Sequence, residues 1–282
     1  MLIDSHHHLW RYSPEQYGWI DDSMSVLKQD FWSQQLREVA AESGVAGFVA
    51  VQARQSLHET DTLLSLATQE PLIHGVVGWL PLADTEIELL VDRYGDDPAL
   101  KGVRHVVQDE DAETFLRGDA FNRGIDAIGQ TDWVYDVLVF GSQLAATIEF
   151  VDRHPSQPMV LDHIAKPTIR ADQFDSQWEA DFRELAKRPN LSCKFSGVVT
   201  EVRDPEWSVA TIQRYWDVAI DAYGADRLMF GSDWPVCLLK TSHRHWTDTV
   251  RKLAESLTAD EQQRLFCQNA RRVYHLRDCG TY

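Results

Sequence analysis

Residues 4–10 read DSHHHLW and directly follow the apolar pair Leu2-Ile3. An apolar start followed by polar residues predicts a buried strand that ends in functional side chains. Residues two positions apart on a strand share a face, so we expect His6 and His8 to project together. Two imidazoles on one face commonly bind a metal or stabilise an oxyanion. A solvated histidine cluster or a tag fragment is the alternative, which a strand pattern running into Leu9-Trp10 disfavours.

Short apolar runs, each followed by a longer segment of helical spacing, recur along the whole chain and predict βα units. Eight candidate strands are found at residues 2–5, 47–52, 75–80, 102–107, 134–140, 159–163, 191–196 and 228–232. Eight such units are typical of a (β/α)8 TIM-type barrel, although an open doubly wound α/β sheet has the same alternation.

The ends of the predicted strands favour the barrel. Polar or ionisable residues follow most strands, among them His6, His8, Arg54, Arg104, His163 and Asp233. A barrel brings all eight carboxyl ends to one face, where barrel active sites lie. The chain of 282 residues has no Pro/Gly/Ser-rich linker and no repeat, so we predict one domain over 1–282. Residues 10–31 lack periodicity and are expected to form a long loop over the barrel mouth.

Composition narrows the classes of partner. The formal net charge of −17 disfavours nucleic acid and anionic membrane surfaces, since both require a basic footprint. The N-terminus has no signal-peptide pattern and the sequence no membrane-length apolar run, which predicts a cytoplasmic protein. The four cysteines form no CxxC pair and are expected to be reduced packing residues. The composition indicates no oligomeric state.

Two further strand ends carry groups of chemical interest. LDHIAKP at 161–167 places His163 after the sixth strand, and MFGSDWP at 229–235 places Asp233 after the eighth. Alone, His163 is more often a structural histidine, and Asp233 is equally often a turn or cap residue. The combination with His6 and His8 is far more specific than any one member.

These motifs, with GVRHVVQDE at 102–110 and KFSGVVTE at 194–201, make the chain resemble the amidohydrolase superfamily. The similarity spans nearly the whole chain and lies in the branch of sugar-lactone and pyrone-dicarboxylate lactonases, with a closer likeness to the L-fuconolactonase and L-rhamnonolactonase type. It implies that His6, His8 and His163 line the site and that Asp233 activates water.

The strand ends depart from the better-known metal-dependent members. Those commonly have a carboxylated lysine on strand four or a histidine on strand five, whereas this chain has Arg104-His105 and Tyr135-Asp136 there. A two-metal site is therefore disfavoured. One zinc ion held by His6, His8, His163 and Asp233 agrees with imidazole and carboxylate ligands. A metal-independent mechanism is also open, because lactones are activated esters.

Several residues at the predicted barrel mouth suggest how a substrate binds. Arg104 and His105 can donate hydrogen bonds, whereas Glu201 and Gln52 can accept them from hydroxyl groups. We also expect Arg104 to take part in catalysis. Trp10 and Trp79 offer flat faces to a sugar ring, although core or rim packing more often explains a tryptophan. The only obvious cations are Arg54 and Arg104, and this shortage favours a neutral polyol lactone over a dicarboxylate.

The sequence thus predicts hydrolysis of an aldono-1,4-lactone, such as L-fucono-1,4-lactone, or its 1,5 isomer. Asp233 would take a proton from water, and His6, His8 or their metal, with Arg104, would stabilise the oxyanion. Two alternatives stay open. One is a metal-dependent decarboxylase or C–C hydrolase of the same superfamily, and the other is a non-catalytic sugar-binding barrel.

Overall fold

Strands and helices alternate along the part of the chain that the computed structural model describes, residues 1–277. The strands are β1 Ile3–His7, β2 Gly47–Val51, β3 Ile73–Gly78, β4 Leu100–Val106, β5 Val134–Leu138, β6 Met159–Leu161, β7 Leu191–Phe195 and β8 Leu228–Phe230. All eight predicted strands are confirmed, with ends that agree to within two residues.

The helices follow the strands, as a βα alternation requires. They are α1 Ser33–Ser43, α2 Leu57–Gln69, α3 Ile87–Gly95, α4 Ala112–Arg117, α5 Asp119–Ile128, α6 Leu144–Arg153, α7 Ser176–Leu185, α8 Val209–Arg227, α9 His243–Leu253, α10 Ala259–Gln263 and α11 Asn269–Val273. No helix within residues 1–277 combines the length and apolar character needed to cross a membrane.

The sheet is a closed barrel. Strands pair in parallel in chain order from β1 to β8, and a parallel bridge between His7 and Trp234 joins the two ends. At this seam His8 N donates to Trp234 O at 2.7 Å, and Asp233 N donates to His6 O at 2.8 Å. The (β/α)8 prediction is therefore confirmed, and an open doubly wound sheet is excluded. The same bonds bring His6, His8 and Asp233 together.

The amino end of the barrel is filled by apolar side chains. Ile3, Val77 and Met229 lie in one buried cluster with Tyr274 and Leu276, which follow α11. The helix layer packs against the outside of the sheet in a second, larger cluster. The described residues thus fill the amino end of the barrel, which leaves the carboxyl ends of the strands to receive a ligand.

Residues 10–31 cross the carboxyl end of the barrel as predicted, but they are more ordered than a simple loop. Backbone hydrogen bonds of 2.9 Å pair Trp10 with Phe31, and a 3-10 helix occupies Asp22–Leu27. Trp10 is fully buried and packs on the rings of Tyr17 and Phe31. This aromatic packing anchors the segment in place of regular secondary structure.

Three of the cysteines, Cys193, Cys237 and Cys267, are buried, as expected for packing residues. The fourth, Cys279, lies outside the described residues.

Asp4 ties the seam of the barrel to the helix layer. Its fully buried Oδ1 accepts from Ser232 N at 2.9 Å and from His6 N at 3.1 Å, while Oδ2 lies 3.0 Å from His243 Nε2 on α9. Burial would raise the pKa of Asp4, but the hydrogen bond and charge of His243 hold it below its usual value. The carboxylate thus links β1, the segment after β8, and α9.

We expect Asp4→Ala to reduce the free energy of unfolding by about 3 kcal/mol, because it leaves two backbone N–H groups and His243 buried without their acceptor. Urea denaturation followed by circular dichroism measures the change. Asp172→Ala, at an exposed carboxylate, is the control and should leave stability nearly unchanged. A loss below about 1 kcal/mol for Asp4→Ala would contradict this role.

Candidate active site

A cavity of about 630 Å³ opens at the carboxyl ends of the strands. Its inner wall is formed by His8, Arg104, His163, Lys166 and Asp233, and its mouth includes Glu15, Gln16, Trp19, Arg54 and Asp109. Strand ends therefore supply the inner wall, and the connecting segments supply the mouth.

The four residues singled out at the ends of strands one, six and eight lie together. The two Nε2 atoms of His6 and His8 are 3.3 Å apart, and Asp233 Oδ1 is 3.3 Å from His8 Nε2 and 3.8 Å from His6 Nε2. His163 Nε2 is 3.9 Å from the same carboxylate oxygen. All four side chains are almost completely buried.

Hydrogen bonds fix the orientation of the imidazoles. His8 Nδ1 lies 2.7 Å from the carbonyl oxygen of Val51, which can only accept, so Nδ1 carries the proton. In neutral His8 the Nε2 lone pair then faces Asp233. His163 Nδ1 is 2.9 Å from Ser196 Oγ, which turns its Nε2 towards the same carboxylate.

Electron-rich atoms thus converge on one point, and this arrangement fits a cation. Zinc bonds of roughly 2.0–2.1 Å to nitrogen and oxygen imply ligand atoms roughly 3.3 Å apart at the corners of a tetrahedron. The separations among His6, His8 and Asp233 are close to that value, and these three can hold an ion together. His6, Asp162 and His163 form a second, overlapping set. One feature opposes a cation: Arg104 NH1 lies 3.3 Å from His6 Nε2.

The protonation states also suit metal ligands, which must be deprotonated. Burial lowers the pKa of His163 to about 4 and that of His6 well below its usual value. Burial would raise the pKa of Asp233, but the neighbouring His163, His8 and His6 hold it well below its usual value. At neutral pH, the neutral imidazoles of His6 and His163 therefore lie beside an ionised Asp233 carboxylate.

His163 is presented by an unusual backbone turn. Residues 163–166 all have positive φ, with values of 54°, 49°, 59° and 45°, although none is glycine. Left-handed helical backbone costs L-residues about 1–2 kcal/mol each. The turn is held by Lys166 N donating to His163 O at 2.9 Å and by Trp178 Nε1 donating to Ile164 O at 2.8 Å. Asp233 has a positive φ of 59° as well, so strain concentrates at the site.

Because Gly197 has no side chain, His163 and Asp233 can pack closely against its backbone. A Cβ atom at this position would lie 2.7 Å from His163 Nδ1 and 2.9 Å from Asp233 Oδ2, and the φ of +61° is itself unfavourable for other residues. Both sterics and backbone conformation therefore require glycine here.

A buried network of charged side chains contacts the Nδ1 side of the His6 ring. Lys194 Nζ lies 2.5 Å from Asp136 Oδ2, 3.0 Å from Asp162 Oδ1 and 3.2 Å from His6 Nδ1. Tyr274 donates to Asp136 at 2.8 Å. Sequence reasoning missed the roles of Lys194, Asp136 and Asp162, although a charged residue within an apolar strand, as in VYDVL or LSCKF, is a usable signal.

Arg104 belongs to this network and also lines the cavity. Its NH1 donates to Asp162 Oδ2 at 2.9 Å, and its NH2 donates to the Gln52 carbonyl oxygen. Both terminal nitrogens therefore have protein acceptors. Its predicted role as an oxyanion donor stays a prediction.

Three of the residues expected to bind substrate take part in packing and hydrogen bonding away from the cavity wall. Trp10 is covered by Tyr17 and Phe31, and Trp79 donates its backbone N–H to Thr60. Gln52 is fully buried beside Arg104. Trp10 and Gln52 lie close to the cavity without being part of its wall.

The other two predicted substrate ligands, His105 and Glu201, also do not line the cavity. His105 follows the inward-facing Arg104, so strand alternation directs it outwards, where it stacks on Phe115 and contacts Glu110 at 3.2 Å. Glu201 is buried and pairs with Arg203 at 3.0 Å and Lys166 at 3.8 Å. Its nearest approach to a residue of the cavity wall is this contact with Lys166.

Comparison with known proteins agrees with the resemblance found in the sequence. The family model described as "Amidohydrolase" matches residues 3–276. The chain is 40% identical to an L-fucono-1,5-lactonase of Burkholderia multivorans, over 98% of this chain and 96% of the relative. An L-fucono-1,5-lactonase of Burkholderia ambifaria is 31% identical over 97% of this chain and 95% of its own. A zinc-bound Burkholderia multivorans amidohydrolase structure has a TM-score of 0.94 at 39% identity, covering 98% of this chain and 100% of that one.

Lys194→Met tests the buried network. It leaves two buried carboxylates without their shared cation, so we expect the free energy of unfolding to fall by about 3–5 kcal/mol in guanidinium titrations. Adding Asp136→Asn should restore part of the loss, since it removes one of the uncompensated charges. Lys187→Met, at an exposed lysine paired with Glu184, is the matched control and should be nearly neutral. Equal stability of the Lys194 and Lys187 variants would refute the assignment.

Proposed function

Because the chain belongs to the amidohydrolase family, we propose that it hydrolyses a sugar aldono-lactone to the open-chain aldonate. The cluster of His6, His8, His163 and Asp233 carries the proposal, since a buried carboxylate beside oriented imidazoles suits activation of water. The names of the two Burkholderia relatives favour a 1,5-lactone, and L-fucono-1,5-lactone is the first substrate to try. The 1,4-lactone remains the alternative ring size.

We further propose that one zinc ion binds to His6, His8 and Asp233, with His163 beside them. The proposal is supported by the convergence of the His8 Nε2 lone pair, His6 Nε2 and Asp233 Oδ1, and by the zinc in the similar crystal structure. Zinc in this position would supply a Lewis acid that polarises a carbonyl oxygen.

In the proposed reaction, Asp233 and His163 have different roles. Asp233, ionised and with Oδ1 near three imidazoles, accepts a proton from water as the water oxygen attacks the lactone carbonyl carbon. His163, held by Ser196, orients the attacking water against Asp233. When the bond from carbon to the ring oxygen breaks, protonated Asp233 returns its proton to that oxygen. The product is an aldonic acid with a free hydroxyl group, and its carboxyl group then ionises to the aldonate and releases one proton to solvent.

The cavity favours a neutral substrate. Glu15 and Asp109 line the mouth together with Arg54, so the wall carries both signs of charge. Arg104 already neutralises Asp162. A dicarboxylate would need several uncompensated cations, whereas a polyol can exchange hydrogen bonds with either charge.

A panel assay tests the function. Aldono-1,5-lactones, aldono-1,4-lactones and a pyrone dicarboxylate are compared with a pH indicator, before and after chelation, with zinc measured by mass spectrometry. We expect acid release from neutral aldonolactones at far higher kcat/KM than from the dicarboxylate. Lactone binding without acid release would identify a sugar-binding barrel, and turnover of aromatic acids alone would identify a decarboxylase or C–C hydrolase.

Asp233→Asn tests the proposed base. The amide keeps the shape of the carboxylate but cannot accept a proton, so we expect kcat to fall about 10²–10⁴-fold with little change in melting temperature. His163→Asn is the comparison and should also weaken substrate binding. Near wild-type kcat for Asp233→Asn would show that this residue serves only in the turn after β8.

A further inference from the structure

Lys166 is a cationic residue of the cavity wall that neither the sequence motifs nor the proposed mechanism assigns a role. It lines the cavity together with His163 and Asp233, and its side chain is 21% exposed. Within residues 1–277 its ammonium group makes no hydrogen bond: Glu201 Oε1 lies 3.8 Å away, and the centroid of the Phe140 ring lies 6.0 Å away. Three N–H donors are therefore available to a ligand.

The strained turn explains how Lys166 reaches the cavity. His163 and Lys166 are the first and last of the four left-handed residues, and with about three residues per turn in such a tight helix they face the same side. Both side chains line the cavity, while Ile164 and Ala165 between them are fully buried. An extended segment would have turned one of the two away.

The other cations of the wall are engaged with protein groups. Arg104 donates through NH1 and NH2 to Asp162 and Gln52. Arg54 donates through Nε to Glu59 at 2.8 Å and lies over the Tyr17 ring. Lys166 has only the longer ring contact with Phe140 and, among the described residues, no hydrogen-bond acceptor, so its N–H groups can turn to a substrate oxygen.

We propose that Lys166 is a catalytic residue whose ammonium group donates a hydrogen bond to the lactone carbonyl oxygen as it becomes an oxyanion, and then to the aldonate carboxylate. This inference rests on the proposed lactone hydrolysis. The water oxygen bonds to the carbonyl carbon, the carbonyl π electrons move to its oxygen, and Asp233 holds the water proton. The carbonyl re-forms as the carbon–ring oxygen bond breaks, and the ring oxygen takes that proton. The new carboxyl group loses the other water proton to solvent and becomes the carboxylate. Lys166 remains ammonium throughout and is not consumed.

A purely structural role, the neutralisation of Glu201, predicts different behaviour. Glu201 is buried, and burial raises its pKa despite the charges of Lys166 and Arg203. Arg203 NH2 is already within 3.0 Å of Glu201 Oε2, closer than Lys166 is to Oε1. If Lys166 served Glu201, removing the Glu201 charge should make Lys166 dispensable.

The experiment compares Lys166→Met, Lys166→Arg, the double variant Lys166→Met/Glu201→Gln and the control Lys240→Met, at a half-buried lysine outside the cavity. Steady-state hydrolysis of L-fucono-1,5-lactone and calorimetric binding of L-fuconate are measured, with melting curves to verify folding. For Lys166→Met we expect kcat to fall about 10²–10³-fold, as for loss of one oxyanion donor, and L-fuconate to bind at least about tenfold more weakly. Lys166→Arg should recover part of both, and Lys240→Met should resemble wild type.

Two results would overturn the inference: unchanged kcat and L-fuconate affinity in Lys166→Met, or recovery of both in the double variant with Glu201→Gln. If the wild-type protein hydrolyses no lactone in the panel, the proposed function fails. The calorimetric comparison of wild type with Lys166→Met then still decides whether Lys166 binds a carboxylate.

Discussion

A single buried carboxylate, Asp162, organises the centre of the barrel. Its Oδ2 lies 2.9 Å from Arg104 NH1, and its Oδ1 lies 3.0 Å from Lys194 Nζ and 3.2 Å from His6 Nδ1. The side chain has no exposure to solvent. Burial would raise the pKa of Asp162, but Lys194, His6 and Arg104 hold it well below its usual range. Isolated buried charges are very costly, so these groups fix one another's positions. Because its Nδ1 faces this network, His6 turns its Nε2 towards His8 and Asp233.

The site is rigid because strain and packing reinforce the same geometry. Four left-handed residues and Asp233 lie in sparsely populated backbone regions, which the surrounding structure must stabilise. The Trp178 hydrogen bond to Ile164 O and the missing side chain at Gly197 supply that support. The polar groups of the site are therefore already oriented before a substrate binds. Electrostatic stabilisation of a transition state is most effective when such groups need not reorganise.

The sequence predicted what periodicity and strand ends encode. Apolar runs located the eight strands, and polar groups directly after them identified His6, His8, His163 and Asp233 as neighbours. Residues such as Trp10 and His105 were chosen by chemical type, and their directions depend on tertiary packing and on strand alternation around Arg104. The left-handed turn at 163–166 contains no glycine or asparagine, the residues that usually indicate such a backbone. The local sequence therefore did not predict that Lys166 lines the cavity.

The inner groups of the site and the residues at the mouth of the cavity are held in place in different ways. The inner groups are interlocked: Arg104 contacts Asp162, His6 and Gln52, so replacing it would disturb several partners at once. The mouth instead includes Glu15, Gln16 and Trp19 from the segment 10–31, which is anchored by Trp10 and Phe31 rather than by these residues themselves. Trp19 is 41% exposed. Changes at the mouth can thus reshape the entrance of the cavity while leaving the charge network and the Asp233 cluster intact.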